Sequence, residues 1–354
     1  MRRIGALALL GLLAGCAAGE GGRGTGNGKD YAVVRVFYGT DRATTGRGEP
    51  ELRYGTVRGP LELGTVDVSI PRDHRMGEVE RPSIWRLEFS EDASKHVTLP
   101  AIEHLGADAF SFRLRERAQD KELFVFIHGY NNSFAEAARR SGQLAYDLGF
   151  QGAAAMYSWP SKESVFGYAA DEASVERTVP NLVEFLELLR RSSGAKVLHL
   201  VAHSMGNRAL VRALREIAAT RPAGDPPCFN QVVLAAPDID TEVFRQLAEN
   251  VKRVSERVTL YASSNDFALD KSKLIHDFPR LGLSGPDLAI VAGVDTVDAS
   301  DVDTSFMGHS YFAENTSVLS DLLELFKNRQ GPPKRPRLRE SKKGDGVFWK
   351  VVVN

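Results

Sequence analysis

Little in this sequence could hold a fold together covalently or direct it to nucleic acid. Its 354 residues include two cysteines, Cys16 and Cys228, so at most one disulfide could form within the chain. Positive and negative side chains nearly cancel, with 45 Lys and Arg against 46 Asp and Glu, and nothing indicates a nucleic-acid partner. Hydrophobic residues make up 43% of the chain, an ordinary share for a globular protein. The fold must therefore rest on its hydrophobic core.

The apolar run at the start of the sequence is too short to span a membrane as a stable helix. Residues 4–13 follow a positively charged start, which is typical of a secretory signal. Residues 13–16 read Leu-Ala-Gly-Cys and resemble the bacterial lipobox, whose cysteine is diacylated and becomes the mature N-terminus. We therefore expect a signal peptide over residues 1–15, followed by a lipidated Cys16 and a flexible Gly-rich tether over residues 16–30. The alternative is an ordinary cleaved signal in which Cys16 occurs by chance.

A lipidated Cys16 predicts where the protein lies and what it touches. The chain is expected on the periplasmic face of the bacterial cell envelope, with the membrane contacted through the acyl chains. Ala17 is not acidic, which favours the outer membrane over the inner one. Acylation of Cys16 also excludes an intramolecular disulfide.

The first part of the predicted folded region, residues 31–121, shows strand patterns and no helix pattern. Strands are expected over residues 33–38, 64–70, 83–89 and 96–99, paired antiparallel at one edge of a sheet. Three histidines lie here without the spacing of a metal site. We interpret His74, His96 and His104 as surface or loop residues.

From residue 122 the pattern changes to alternating strands and helices, which predicts a parallel sheet with helices on both faces. Pro180 is expected to kink or divide the helix in which it lies. The predicted strands cover residues 123–127, 152–157, 197–201, 231–235, 257–261 and 289–294, and the predicted helices cover residues 133–148, 172–191, 207–219, 241–251 and 318–326. Residues 329–354 form a basic, Pro-rich tail that we expect to be disordered apart from a late edge strand over residues 347–353.

One short motif joins a predicted strand directly to a predicted helix. Residues 202–206 read Ala-His-Ser-Met-Gly, a small-x-Ser-x-Gly pattern in the strand–turn–helix context of a nucleophile elbow. Such a sharp turn needs small residues two positions before and two after the serine. The pattern predicts Ser204 as a nucleophile, with the helix N-terminus favouring negative charge beside it. The alternative is a serine that caps an ordinary helix.

Taken together, these segments resemble the α/β-hydrolase fold over residues 31–328. More closely, they are similar to a bacterial α/β-hydrolase family of unassigned function. The resemblance implies a mostly parallel central sheet with helices on both faces, a β-rich N-terminal edge, and catalytic residues in the order serine, acid, histidine. The matching stretches are residues 36–42 (Val-Phe-Tyr-Gly-Thr-Asp-Arg), 126–132 (Phe-Ile-His-Gly-Tyr-Asn-Asn), 157–160 (Tyr-Ser-Trp-Pro), the elbow, and 308–312 (Gly-His-Ser-Tyr-Phe).

The resemblance places Ser204, Asp266 and His309 in that order. Histidine would activate the serine hydroxyl and the aspartate would orient the imidazole. Asp238 is the alternative acid and His276 the alternative base.

Two backbone N–H groups, those of Met205 and Tyr130, would form the oxyanion hole. His128 is interpreted as a packing residue, and Trp159 either packs or lines an acyl pocket. Cys228 has no base nearby in sequence and is not expected to act as a nucleophile.

The site predicts hydrolysis of an ester or related acyl bond through an acyl-enzyme, without a metal or an organic cofactor. The substrate class is a small-molecule or lipid ester. Two alternatives remain open at this point: an acyltransferase that uses the same site, and a non-catalytic envelope protein that binds a lipid or a partner.

Overall fold

The computed structural model describes residues 30–164, 167–264, 269, 272–273, 277–302 and 316–352. The strands are β1 (Tyr31–Thr44), β2 (Tyr54–Pro71), β3 (Thr98–Leu105), β4 (Glu122–Ile127), β5 (Ala153–Ser158), β6 (Val197–His203), β7 (Phe229–Ala235), β8 (Ser255–Ala262), β9 (Asp295–Asp298), β10 (Leu338–Lys343) and β11 (Gly346–Val351). The helices within these ranges are α1 (Ala107–Ala118), α2 (Phe134–Asp147), α3 (Tyr168–Arg177), α4 (Val179–Ser192), α5 (Gly206–Thr220), α6 (Thr241–Arg253) and α7 (Thr316–Asn328). None of these helices is both long and apolar enough to cross a membrane.

These strands form one sheet in the order β10-β11-β9-β8-β7-β6-β4-β5-β1-β2-β3. The strands from β11 to β1 in this order are paired in parallel. Antiparallel pairs occur at the two edges, where β2 and β3 follow β1 and where β10 follows β11. The predicted α/β fold, with a mostly parallel sheet and a β-rich N-terminal edge, is confirmed.

Alternation along the central strands divides the core between the two faces of the sheet. In β4, Leu123 and Val125 belong to a cluster that includes side chains of α1, α4, α5 and α6. Phe124 and Phe126 belong to a second cluster, with side chains of α2 and α7. Strands buried on both faces are typical of a parallel sheet between helical layers.

Local sequence accounts for several helix boundaries. Ser133 caps α2 in a capping box, because its side chain accepts a hydrogen bond from the Glu136 N–H and the Glu136 side chain returns to Ser133. Asp240 caps α6 through the N–H groups of its first turn. Pro180 stands at the start of α4, so the helix expected over residues 172–191 is divided into α3 and α4.

Four expectations about the sheet and its neighbours are wrong. Residues 83–89 are not a strand and contain a 3-10 turn, Ile84–Arg86. Residues 289–294 precede β9 and are not themselves a strand. The N-terminal part contains α1, whose narrow apolar stripe of Phe110, Leu114 and Ala118 lies among charged residues. β1 does not end at residue 38 but continues to Thr44, with shifts in its register against β2.

The tail expected to be disordered is also ordered where the structure describes it. β11 lies inside the sheet between β9 and β10, so it is not an edge strand. Arg335 is completely buried, and its Nε lies 2.8 Å from Oδ1 of Asp321 in α7. Its Nη2 donates to the Tyr261 hydroxyl at 2.9 Å. A buried cation with buried partners explains why a basic segment packs against the domain.

His74 and His96 lie in loops, as the expectation of surface or loop residues allowed, but their side chains are buried. His74 lies between two carboxylates, with Nδ1 2.8 Å from Glu80 and Nε2 2.8 Å from Asp147. His96 is also buried, and His104 is about half exposed. One of the two partners of His74, Asp147, lies 73 positions away, so no pattern of neighbouring residues indicates that this histidine is buried.

Candidate active site

The turn between β6 and α5 has the backbone of a nucleophile elbow. Ser204 has a φ of 48°, in the left-handed region that non-glycine residues rarely adopt. The Ser204 N–H donates to the Ala235 carbonyl in β7 at 3.0 Å, and its carbonyl accepts from the N–H groups of Asn207 and Asp238. A strained conformation held by several hydrogen bonds is a feature of functional sites. The alternative in which Ser204 merely caps a helix does not explain this geometry, because no cap hydrogen bond from a side chain occurs at the start of α5.

Close packing explains why the motif needs its glycine. A Cβ placed on Gly206 would lie 2.3 Å from the carbonyl oxygen of His128. A Cβ on Gly129 would lie 2.9 Å from the Cβ of Ser204. Both approaches are closer than a real side chain tolerates. The loop that follows β4 therefore lies directly against the elbow.

This contact brings together the segments that were expected to form an oxyanion hole. Met205 is the N-cap residue at the head of α5, and Tyr130 follows Gly129 in the loop after β4. Backbone N–H groups at such a junction are suited to bind an oxygen on which negative charge develops. Ser204 is nearly buried, with 5% of its surface exposed, so charges beside it are only weakly screened by water.

His128 supports the loop after β4 and is not a candidate base. Its Nδ1 lies 2.7 Å from the Gly129 carbonyl, which can only accept, so Nδ1 carries the proton. Its ring stacks on Trp159 with the centroids 5.1 Å apart. Burial, and then the nearby Arg42 cation, lower the pKa of His128 to about 3. The imidazole is thus neutral, as expected of a packing residue.

Trp159 packs as well. The side chain is fully buried, and its indole N–H donates to the His128 carbonyl at 2.8 Å. Of the two roles considered for Trp159, packing behind the loop is the one that the structure shows.

A buried arginine that sequence analysis did not single out connects these pieces. Arg42 donates from Nε to the Ser158 hydroxyl at 3.0 Å, and Ser158 is 3.2 Å from Nε2 of His128. Its Nη2 donates to the Asn132 carbonyl at 2.5 Å. Burial lowers the pKa of Arg42 to about 10, still well above neutral pH, so the side chain stays charged. Its place at the end of one of the stretches that resemble the hydrolase family was the only signal for it.

The sequence profile of a family described as "Alpha/beta hydrolase of unknown function (DUF900)" matches residues 107–329. The match covers more than half of the chain and includes the elbow, the loop after β4, and β7 to β9. The chain belongs to this family. No curated protein matches it.

A cluster of polar side chains lies next to the elbow of this α/β hydrolase, around Asp238. Both carboxylate oxygens of Asp238 are in use: Ser272 donates to Oδ1 at 2.6 Å, and the Tyr168 hydroxyl donates to Oδ2 at 2.6 Å. Arg208, in the first turn of α5, also donates to Oδ2, at 3.2 Å. Burial and the Asp238 charge raise the pKa of Tyr168, which remains a neutral hydrogen-bond donor. The Tyr168 ring meets that of Tyr130 edge to face at 5.6 Å, which joins this cluster to the loop after β4.

The structure of this α/β hydrolase places the turn with Ser204 and Met205 directly against the loop that carries Tyr130. Asp266 and His309, like the alternative base His276 and the predicted lipidation site Cys16, lie outside the described residues.

Two further observations concern other candidate ligands and nucleophiles. Within the described ranges, no group of three or more His, Cys, Asp or Glu side chains is arranged to hold a metal ion. Cys228 is half-buried, and burial raises its thiol pKa, which works against the reactive thiolate.

Proposed function

We propose that this α/β hydrolase is a serine hydrolase that cleaves an ester or related acyl bond through an acyl-enzyme. The observation that carries the proposal is the left-handed backbone of Ser204 at a strand–helix turn that is packed directly against the loop after β4. That geometry presents a hydroxyl beside backbone donors in a poorly solvated place. Acyl transfer is the chemistry for which such an arrangement is suited.

In the proposed mechanism, Ser204 Oγ attacks the acyl carbon while His309 removes its proton. The carbonyl oxygen becomes an oxyanion that accepts hydrogen bonds from the Met205 and Tyr130 N–H groups. His309 then protonates the leaving alcohol, and the acyl group remains on Ser204. Water, activated by the same imidazole, releases the acid and restores the serine.

The choice of Asp266 as the acid is supported by the state of Asp238. Asp238 is surrounded by donors from Tyr168, Ser272 and Arg208, which leaves it poorly placed to accept from an imidazole. Asp266 follows β8, which pairs in parallel with β7, so the chain leaves β8 at the same edge of the sheet as the elbow. β9, the strand that precedes His309 in the sequence, is the next parallel strand and ends at that same edge. We therefore retain Asp266 and His309.

A fluorophosphonate probe tests the proposal directly, since it reacts with an activated serine and needs no known substrate. We expect labelling of the wild-type protein and none of Ser204→Ala or His309→Ala, with the fold intact in each variant. Nucleophile and base act as a unit, so losing either costs about as much as losing both. Circular dichroism is the control for folding. Absence of labelling in the wild type would refute the hydrolase and favour a binding protein.

The acid is tested separately. Asp266→Asn should lower the rate of probe labelling and the kcat on p-nitrophenyl esters by orders of magnitude, because the imidazole takes the wrong tautomer. Little change in thermal stability is expected. Asp238→Asn is the matched variant and should retain the labelling rate to a much greater extent. If Asp238→Asn loses activity while Asp266→Asn keeps it, the acid is Asp238.

An acyltransferase with the same site is the second candidate. It shares the acyl-enzyme and differs only in the acceptor. Partition of the acyl group between water and added alcohols, measured after labelling with a chromogenic ester, distinguishes the two.

The envelope location is a further part of the proposal. It rests on the lipobox-like residues 13–16 and assigns the acyl anchor to Cys16 on the periplasmic face, in the outer membrane. Cys16→Ser should shift the chain to a soluble or unprocessed form. Unchanged membrane association in a fully processed Cys16→Ser variant would contradict the anchor.

A further inference from the structure

A short segment between β2 and β3 exposes an unusual concentration of large apolar side chains. We call residues 83–89 the apolar loop. Its members Ile84, Trp85, Leu87 and Phe89 are 69%, 92%, 77% and 81% exposed. Single exposed apolar residues are ordinary, but a contiguous group of this kind marks a surface that contacts something else.

The apolar loop is held in this form by its own polar contacts. The N–H groups of Arg86 and Glu88 both donate to the Ser83 carbonyl, at 2.9 and 3.0 Å. The Glu88 carboxylate accepts from the Ser83 N–H at 3.1 Å and lies 3.1 Å from Nε2 of the buried His96. Leu87 has a φ of 57°, a left-handed conformation that is costly for a leucine. These contacts hold the loop backbone in a form that leaves the apolar side chains exposed.

The connection that carries this loop runs along α2. Near its start, His74 and the Gly77 N–H contact Asp147, at the end of α2. Further along, Glu91 pairs at 2.7 Å with Arg139, and Arg81 approaches Glu136. Arg139 and Glu136 lie in the first turns of α2, and α2 begins just after the loop beside Ser204. The apolar loop is thus near the end of the domain that carries the candidate site.

The chain that precedes the described domain indicates what covers this loop. Asp30 accepts a hydrogen bond from the Arg72 N–H at 3.1 Å, so the chain enters the domain where the connection to the apolar loop begins. From the proposed anchor at Cys16 to Asp30, even a fully extended chain spans only about 50 Å. The 14 residues of α2, along which the connection runs, rise by about 21 Å. An acyl anchor at Cys16 would keep the apolar loop within reach of a bilayer.

We propose that the apolar loop inserts into the bilayer interface and holds the domain with its candidate site toward the lipid. Trp85 suits the interfacial level, because its ring has an apolar body and a polar N–H. Ile84, Leu87 and Phe89 supply the apolar surface that leaves water. The proposal rests on the acyl anchor of the proposed function, and it does not depend on the hydrolase chemistry. One consequence does require the proposed hydrolase: a bilayer-bound loop at the end of the domain that carries Ser204 indicates acyl esters resident in the membrane as the substrate class.

Trp85 provides a direct readout of insertion. The chain has three tryptophans, of which Trp159 is fully buried and Trp349 is half-buried. The full-length protein would be mixed with vesicles of phosphatidylcholine and phosphatidylglycerol, with and without brominated acyl chains. We expect bromolipid to quench tryptophan emission in the wild type and to leave Trp85→Phe almost unquenched. Equal quenching of the two proteins would overturn the proposal.

A matched pair of surface variants tests the other side chains. Leu87→Ser/Phe89→Ser should weaken vesicle binding of the unacylated chain by about tenfold or more, because two large apolar groups no longer leave water. Phe112→Ser is the control, since Phe112 is 65% exposed on α1, which packs on the opposite face of the sheet from α2. It should bind as the wild type does. Equal weakening by both variants would overturn the proposal.

Two further measurements separate this proposal from its neighbours. Flotation of wild type and Cys16→Ser reports the acyl anchor, whereas quenching of Trp85 reports the loop however the chain is held. Fluorophosphonate labelling in detergent reports the hydrolase alone. A shift of Trp85 emission with protein concentration, in the absence of vesicles, would show that the apolar loop contacts a second copy of the chain. That result would overturn the proposal that the loop inserts into a bilayer.

Discussion

Two completely buried arginines, Arg335 and Arg42, differ in the charge of the groups around them. Arg335 faces the buried Asp321 carboxylate and the Tyr261 hydroxyl, near the C-terminal edge of the sheet. Arg42, at the other end, donates mainly to neutral groups: the Ser158 hydroxyl, the Asn132 carbonyl and further carbonyls. Its ion-pair partner Glu163 is partly exposed.

The pKa of each arginine reflects this difference. Burial lowers the pKa of Arg42 to about 10. Burial also works against the charged form of Arg335, but the interactions with Tyr261 and Asp321 outweigh it and raise the pKa. Arg335 is thus one half of a neutralised pair, whereas Arg42 donates from all three guanidinium nitrogens to groups of surrounding loops and strand ends. The first arrangement fastens the C-terminal segment, and the second shapes the loop beside Ser204.

The largest effect is expected at Arg335. Arg335→Met leaves Asp321 buried without its cation, which should lower the free energy of unfolding by about 3–5 kcal/mol. Labelling of the remaining folded protein by the fluorophosphonate probe should be unchanged. Urea unfolding at neutral pH measures the loss. Arg335→Met/Asp321→Leu is the control and should recover much of the stability, because it removes both charges; failure to recover would show that the pair is not the cause.

Arg42 should behave in the reverse way. Arg42→Lys keeps the positive charge but loses the planar fork that reaches Ser158 and Asn132 together. We expect the rate of probe labelling and kcat to fall by about 10- to 100-fold, since the loop beside Ser204 shifts, with KM nearly unchanged. The loss of stability should be smaller than for Arg335→Met. Equal losses of activity and stability in both variants would remove the distinction between the two arginines.

A third buried cation differs from both arginines because it can lose its charge. Burial lowers the pKa of His74, but the hydrogen bonds to Asp147 and Glu80 outweigh it and raise the pKa to about 9. Since this is above the unfolded value of about 6.5, protonated His74 contributes stability below pH 6.5, and the contribution is lost as the pH rises through 9.

The expected loss of stability at His74 is at most about 3 kcal/mol between pH 6 and 9.5, below that expected at Arg335. Thermal unfolding across that range measures it. His74→Gln cannot titrate and should flatten this part of the profile. A profile that is the same in His74→Gln and wild type would assign the pH dependence to other groups.

Local patterns were sufficient to predict the mostly parallel central sheet and the sharp turn at Ser204. The strands around the elbow are continuous apolar runs, and small-x-Ser-x-Gly fixes the turn at Ser204 through contacts between neighbouring segments. The resemblance to the α/β-hydrolase fold implies the oxyanion role of Tyr130, and the adjacency of the parallel strands β4 and β6, which end at the same edge, explains why the loop that carries it lies beside the elbow.

Features that depend on distant partners could not be predicted. Arg42 and Ser158 lie 116 positions apart in sequence, and no periodicity connects them. The apolar pattern of residues 83–89 predicts a strand, because a prediction from hydrophobic pattern assumes that apolar side chains become buried. The composition of the tail predicts disorder. Composition alone does not reveal that Asp321 gives Arg335 a buried partner.

The position of β11 has a consequence for how the domain is assembled in time. Because β11 pairs with β9 and β10, the sheet has its final edge only once the chain has been made through residue 351. During synthesis, the four-residue strand β9 would stand at the margin of the sheet with backbone groups open to other chains. Once β10 and β11 have paired, β10 becomes the edge strand. Its exposed side chains discourage pairing with another sheet; they are Arg339, Glu340 and Lys342. A shortened chain that ends after α7 would keep every residue of the candidate site and still be prone to aggregate.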